Sequence, residues 1–206
     1  MEDKEIINQE QAESPVDDTM GLKMSGHILI KDKETGEELV NKRNAIHYGN
    51  MANMIARAIT DKLGAYYVQW MGFGNGATSV DTAGKVIYKS PRVSESYESS
   101  GTLYSRTYQK VVSNNTTTDK IEVIPGPSYT DLKITCTLGY NEPSDADAFD
   151  TSTTQDGSYV FDELGLLSYA DDIDDSILLT HVIFHPVQKS KNREIEIVYT
   201  VRVQLN

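Results

Sequence analysis

The sequence has little of what stabilises small secreted domains or binds nucleic acid. Cys136 is the only cysteine among 206 residues, so no intramolecular disulfide can form. The 19 Lys and Arg residues are scattered among 31 Asp and Glu residues, which gives a formal net charge of −12. Direct binding of nucleic acid is not expected, because the neutralisation of phosphates needs clustered cations.

Long apolar runs are missing too, and no stretch approaches the ~20 residues that span a bilayer. The first residues are acidic, whereas a signal peptide begins with basic residues and continues with apolar ones. We therefore expect no membrane span, and we expect folding in a cytoplasm. A chain of this length can bury a large core, and we predict one β-rich domain over residues 21–206.

Catalytic signatures are absent from the sequence. It contains neither a Gly-x-Ser-x-Gly nor a His-Glu-x-x-His motif. Pairs of carboxylates that could serve a glycosidase arise by chance among so many acids. The sequence predicts a protein that is not an enzyme and holds no cofactor.

The four histidines do not form a pattern that indicates a metal site. His181 and His185 lie in a strand-like segment, where four residues span ~13 Å, too far for both rings to bind one ion. His27 and His47 have no acidic or sulfur neighbour in the sequence. We interpret all four as polar packing or subunit-interface residues and predict no metal ligand.

Two acidic clusters could in principle attract calcium, which takes six to eight oxygen ligands. Neither fits an EF-hand loop, and solvated acidic loops are the simpler interpretation. The clusters consist of Asp145, Asp147 and Asp150, and of Asp171, Asp172, Asp174 and Asp175.

Strict alternation of apolar and polar residues marks the last strand. Ile195, Ile197, Tyr199, Val201, Val203 and Leu205 share one face of it, which is the pattern of a half-buried β-strand. Further segments with strand character are residues 26–31, 37–40, 66–73, 85–88, 103–113, 120–124, 131–138, 159–167 and 177–186. They predict a mainly β fold, an antiparallel sandwich or a barrel-like domain. Cys136 lies in an apolar alternation and should pack as a small hydrophobic residue.

One amphipathic helix is predicted, with Met51, Met54, Ile55, Ala58 and Ile59 on its apolar stripe and the sheet as its support. Gly64 should end it. The later Gly74-Asn75-Gly76 segment predicts a tight turn or bulge. Its backbone amides could instead bind an anion, but the Lys and Ser/Thr of a P-loop are absent.

Two segments have a composition typical of mobile chain. Residues 1–20 hold seven acidic residues against Lys4 and carry a net charge of −6. They form either a solvated terminus or an arm that orders on a neighbouring subunit. Residues 141–157 are rich in Pro, Ser, Asp, Thr and Gly and predict an exposed loop.

Four stretches resemble structural proteins of tailed bacteriophages, in the neck, collar, tail or baseplate of the virion. The resemblance covers most of residues 24–205 and leaves out residues 1–20. Its motifs are residues 26–32 with 35–37, Lys42, 44–47 and 50–51; Met71-Gly72-Phe73-Gly74-Asn75-Gly76; Phe161-Asp162-Glu163-Leu164-Gly165-Leu166; and Leu178-Leu179-Thr180-His181-Val182-Ile183-Phe184-His185-Pro186-Val187.

The resemblance implies assembly rather than catalysis, with other copies of the chain and other virion proteins as partners. A homo-oligomeric ring or collar, folded in the cytoplasm of the bacterial host and ending in the virion, is the expected form. The alternative is an appendage module that contacts a receptor or a glycan. Twelve tyrosines and the polar loop 141–157 favour that alternative, because aromatic and Asp or Asn side chains hold sugars.

Overall fold

The computed structural model describes residues 21–60, 67–93, 103–144 and 158–205. The fold is mainly β, with one α-helix and a large curled antiparallel sheet that forms a half-barrel. This confirms the barrel-like β domain with one helix. Segment 1–20 and most of the loop 141–157, from residue 145 on, fall outside the described residues.

The elements in chain order are β1 Leu22–Asp32, β2 Glu38–Ile46, α1 Tyr48–Thr60, β3 Val68–Gly74, β4 Thr78–Val80, β5 Val86–Tyr88, β6 Arg106–Val111, β7 Lys120–Pro125, β8 Tyr129–Leu138, β9 Ser158–Ser168, a 3₁₀ turn Ile173–Asp175, β10 Leu178–Ser190 and β11 Ile195–Leu205. Nine strands form the large sheet in the order β6-β3-β9-β10-β2-β1-β11-β8-β7, and β4 and β5 form a separate hairpin.

The first and last strands pair along their whole length near the centre of the sheet. The ladder runs from Leu22 opposite Leu205 to Asp32 opposite Ile195. On β11 the even alternation predicted from the sequence is present, with Tyr199 and Val201 buried, although Leu205 at the strand end is exposed. The inner face of this ladder therefore forms the centre of the core.

The core lies on the concave face of the sheet. The two edge strands of the sheet, β6 and β7, do not pair with each other, and side chains bridge the gap between these edges. Lys110 on β6 donates to the carbonyl of Thr137 at 2.5 Å and to Glu142 Oε2 at 2.9 Å. The Lys110 ammonium also lies 3.4 Å from Asp119 Oδ1. These bonds connect one edge of the sheet to the end of β8, so the half-barrel is held together across its gap by a half-buried cation.

Helix α1 begins at a histidine cap. The Nδ1 atom of His47 accepts a hydrogen bond from the backbone N–H of Asn50 at 3.2 Å, which satisfies one of the open amides of the first turn. Asn50 in turn donates from its side chain to the carbonyl of Leu178 at 2.8 Å, so the start of the helix is fixed to β10. The predicted helix is confirmed, and Met51 on its stripe is buried.

The prediction that the whole apolar stripe lies on the sheet is wrong for its last turn. Met54 and Ile55 are partly buried against the core, but Ile59 is 79% exposed. The helix is anchored at its beginning by Asn50, and nothing among the described residues covers its end. The predicted stop at Gly64 falls outside the described residues.

Two strand predictions needed correction. The second strand continues beyond Val40 to Ile46, because the polar residues 41–44 pair in register with β1. Residues 41–43 are exposed, and Asn44 is half-buried. The strand predicted from Leu103 begins only at Arg106. The backbone of Tyr104 and Ser105 is instead bound by a buried carboxylate, described below.

Candidate functional site

A buried polar cluster is built on β9, where two acidic residues follow one another. Both carboxylates bind the segment 76–78, and Glu163 also binds the backbone of residues 104–105. Asp162 accepts hydrogen bonds from the backbone amides of Ala77 at 3.1 Å and Thr78 at 2.8 Å. It also accepts one from the Thr78 hydroxyl. Its carboxylate therefore fixes the entry to the β4–β5 hairpin.

The Glu163 carboxylate is fully buried and accepts four hydrogen bonds. The donors are Tyr104 N at 3.0 Å, Ser105 N at 2.8 Å, Gly76 N at 3.3 Å and His181 Nε2 at 3.0 Å. Burial raises the pKa of Glu163, but the bonds from His181 and from the two amides of the 104–105 segment outweigh it, and the pKa lies below its usual range. Glu163 is thus a charged acceptor that joins three parts of the chain.

Gly74 is required by the close approach of this carboxylate. A Cβ atom at position 74 would lie 2.5 Å from Glu163 Oε1 and 2.5 Å from the Ser105 carbonyl oxygen. A register shift between Phe73 and Gly74 and a bend at Asn75 confirm the predicted tight turn or bulge. Within the segment, the Gly76 amide donates to the Glu163 carboxylate and the Asn75 amide donates to the Ser105 carbonyl.

His181 completes the cluster from β10 and has a defined tautomer. Its Nδ1 atom accepts a hydrogen bond from the backbone N–H of Arg92 at 2.9 Å, so Nε2 carries the proton donated to Glu163. The ring of Tyr104 lies 5.9 Å from the His181 ring between centroids. Lys89 and Arg92 approach the same tyrosine at 4.4 and 5.4 Å from its centroid.

The cluster positions loops. Glu163 and His181 are both 0% exposed. Their hydrogen bonds hold the segments around residues 76, 92 and 104 against β9 and β10.

The four histidines predicted as interface or packing residues are in different environments. His47 and His181 are buried, where they cap α1 and bind Glu163. His27 is exposed on β1 and bonds to Asn41 at 2.7 Å, and exposed His185 lies 3.2 Å from the Tyr88 hydroxyl. The interface role stays a prediction, and only His27 and His185 present a ring to the outside.

Within the described ranges, no group of three or more His, Cys, Asp or Glu side chains could hold a metal ion. The carboxylates of the 171–175 cluster are engaged locally: Asp171 accepts from the Tyr169 hydroxyl, Asp172 caps the 3₁₀ turn and Asp174 pairs with Arg106. The cluster at 145–150 lies outside those ranges. Cys136 is buried as predicted, and burial raises the pKa of its thiol.

The outer face of the sheet carries a groove lined by positively charged side chains, although the net charge of the protein is negative. We call it the cationic groove; its cavity volume is about 330 Å³. Cross-strand pairing sets His27 directly opposite both Arg43 on β2 and Thr200 on β11. The groove is lined by Lys23, Ser25, Gly26, His27, Arg43, Thr200 and Arg202.

A second depression lies where the exposed end of α1 meets the sheet. This apolar groove has a volume of about 450 Å³ and is lined by Met54, Ile55, Ala58, Ile59, Tyr67, Val68, Ser113, Asn115, Ile121 and Leu132. No helix in the described part of the chain is long and apolar enough to cross a membrane.

Sequence reasoning did not assign a role to Asp162 and Glu163, which appeared only within a motif of the resemblance. A signal was present: two adjacent acids interrupt an otherwise apolar run, Tyr159 to Leu167. Acidic residues are almost never fully buried unless they are paired, so such an interruption in a predicted core strand indicates a bound carboxylate. The identity of the donors could not be read, because they are distant in the sequence.

Comparison with protein-family models, with curated proteins and with solved structures found no match to this chain.

Proposed function

We propose that the chain is a non-enzymatic structural subunit of a tailed-phage particle, which assembles with other copies into a ring or collar of the neck, tail or baseplate. The observation that supports assembly most directly is the open edge of the large sheet at β7. Within the described residues, β7 pairs only with β8. Its other edge presents unpaired backbone N–H and C=O groups, which are a ready template for a strand of a neighbour.

The side chains of β7 favour contact with protein rather than with water. Val123 is 64% and Ile124 is 45% exposed, next to each other on this edge. Lys120 and Pro125 at the two ends of the strand discourage indiscriminate pairing, as expected for an edge that accepts a defined partner. Two different complementary patches are needed in a ring, so the surface that receives β7 lies elsewhere on the neighbouring subunit.

The resemblance to virion proteins supplies the phage setting of the proposal, and the loop-anchoring role of Glu163 is compatible with it. A subunit whose loops are fixed by buried carboxylates presents preformed surfaces, which lowers the entropic cost of association. The receptor- or glycan-binding alternative depends on the loop 141–157, most of which lies outside the described residues. It gains no geometric support from the described part.

The experiment has two arms. Mass spectrometry and cryo-electron microscopy of purified particles of the phage that encodes the chain should find it in the neck, tail or baseplate, in multiple copies. Sedimentation of the purified chain with Val123→Lys or Ile124→Lys should show weaker self-association than wild type. Val80→Lys on the β4–β5 hairpin is the matched control, because Val80 is 67% exposed and lies outside the large sheet.

Absence of the chain from the particle would refute the phage assignment. Unchanged association of both β7 variants would refute the edge as the interface. Turnover of peptidoglycan or capsule by the purified protein would overturn the non-enzymatic part of the proposal, and binding of a host glycan at a particle tip would favour the appendage alternative.

A further inference from the structure

The cationic groove has an excess of positive charge that the rest of the described chain does not neutralise. Arg202 is paired with Asp131 through two hydrogen bonds of 2.8 Å, and its guanidinium covers the ring of Tyr129. Lys23 and Arg43 are exposed and form no ion pair with any described residue. Lys23 lies opposite Gln204 and Arg43 opposite His27, so no acidic residue faces either cation across the ladder, and the groove suits an anionic partner.

The neighbouring strand β8 does not provide that partner. Of its two charged residues near the groove, Asp131 is already bound to Arg202, and Lys133 adds a cation that pairs with Glu122 at 3.7 Å. Lys133 lies opposite Thr200, one of the lining residues. The charges of β8 are thus paired, and they leave Lys23 on β1 and Arg43 on β2 unneutralised.

The most acidic segment of the chain is attached directly to this groove. Residues 1–20 carry a net charge of −6, half of the total of −12, and Lys23 follows two residues after Gly21, where the described chain begins. We propose that residues 1–20, here called the acidic segment, dock in the cationic groove of their own chain. This inference goes beyond the proposed function and does not depend on it, because it concerns the isolated subunit.

Reach and concentration favour docking within one chain. The groove residues Lys23 and His27 are four positions apart on a strand, or ~13 Å. A flexible segment of about 11 residues, the separation between Glu10 and Gly21, has a root-mean-square length of roughly 17–20 Å. Glu10, Glu13, Asp17 and Asp18 can therefore all reach the groove. A short tether gives an effective concentration on the order of mM, far above that of free subunits in dilute solution.

Paramagnetic relaxation enhancement tests the proposal on the full-length chain. A nitroxide is attached through Ser14→Cys; Cys136 is fully buried and does not compete for the label. At an ionic strength of about 0.01 M, amide signals of residues 23–27, 43 and 200–202 should broaden selectively, and at about 1 M, where the Debye length falls to ~3 Å, the broadening should disappear. Signals of the β4–β5 hairpin serve as the internal reference.

Matched variants and a mixing experiment decide between the outcomes. Lys23→Gln with Arg43→Gln should abolish the broadening, whereas Lys33→Gln with Lys85→Gln, an equal change of charge outside the groove, should leave it. No broadening at the groove in low salt would overturn the proposal. Broadening that appears only when labelled chains are mixed with isotope-enriched unlabelled chains would also overturn it, because the segment would then bind a second copy.

Discussion

Glu163→Gln is the substitution with the largest expected effect for the smallest change of shape. The Glu163 carboxylate accepts four hydrogen bonds, which come from Gly76 N, Ser105 N, Tyr104 N and His181 Nε2. A Gln amide keeps one oxygen as an acceptor and turns its NH₂ group toward two of these donors. Two of the four hydrogen bonds to the buried carboxylate are lost.

The cost follows from those two lost bonds. Hydrogen bonds to a charged group contribute about 1.5–3 kcal/mol each. We expect Glu163→Gln to lower the free energy of unfolding by about 3–5 kcal/mol. For a chain of about 200 residues this lowers Tm by roughly 6–20 °C.

Chemical and thermal denaturation followed by circular dichroism measures this change. Native-state hydrogen exchange should show in addition that the amides of Gly76, Tyr104 and Ser105 lose protection before the centre of the sheet does. Glu37→Gln is the control, because the Glu37 side chain is 68% exposed and its nitrogen–oxygen distance to Arg193 is 4.0 Å. A loss below about 1 kcal/mol for Glu163→Gln, equal to that of a surface substitution, would refute the anchoring role.

Four further outcomes are expected. Val201→Asp places an unpaired charge in the core and should cost several kcal/mol in the free energy of unfolding; an unchanged denaturation midpoint would contradict its burial. Deletion of residues 1–20 should leave Tm within a few degrees, and collapse of the fold would show that they belong to the domain. Replacement of His181 and His185 by Asn should lower Tm through the lost Glu163 contact without changing bound metal measured by plasma mass spectrometry; stoichiometric zinc in wild type, lost in the variant, would reopen the enzyme hypothesis. The backbone amide of Thr35 and the Arg193 guanidinium lower the pKa of Asp32 to about 2. The stabilising contribution of this carboxylate is therefore present above pH 3.8 and is lost as the pH falls toward 2. When stability is measured as a function of pH, Asp32→Asn should lack this acid-dependent decrease, and an unchanged pH profile would contradict the assignment.

Elements that are set by local periodicity could be predicted from the sequence, and elements set by distant contacts could not. The alternation in β11 and the stripe that starts at Met51 identified one strand and one helix within a few residues. Strand β4 was missed, since Thr78–Val80 is short and half polar, and its entry is held by Asp162, 84 positions away in sequence from Thr78.

The candidate sites show the same division. His181 and His185 lie on one strand, where His181 is buried and His185 is exposed. The partner of His181 is Glu163, 18 residues away on the adjacent strand, and only the register of β9 against β10 brings them together. The cationic groove likewise needs the pairing of β1 with β2 and β11, which unites residues as distant in sequence as Lys23 and Arg202.

The pairing of β1 with β11 determines how the domain responds to mechanical force. Leu22 and Leu205 face each other at the same end of an antiparallel ladder. Tension applied through these two residues acts across the ladder and loads its hydrogen bonds one pair at a time, as in a zipper, instead of shearing all of them together. Tension applied through the two ends of the described chain therefore opens the domain at its central ladder rather than at an edge strand.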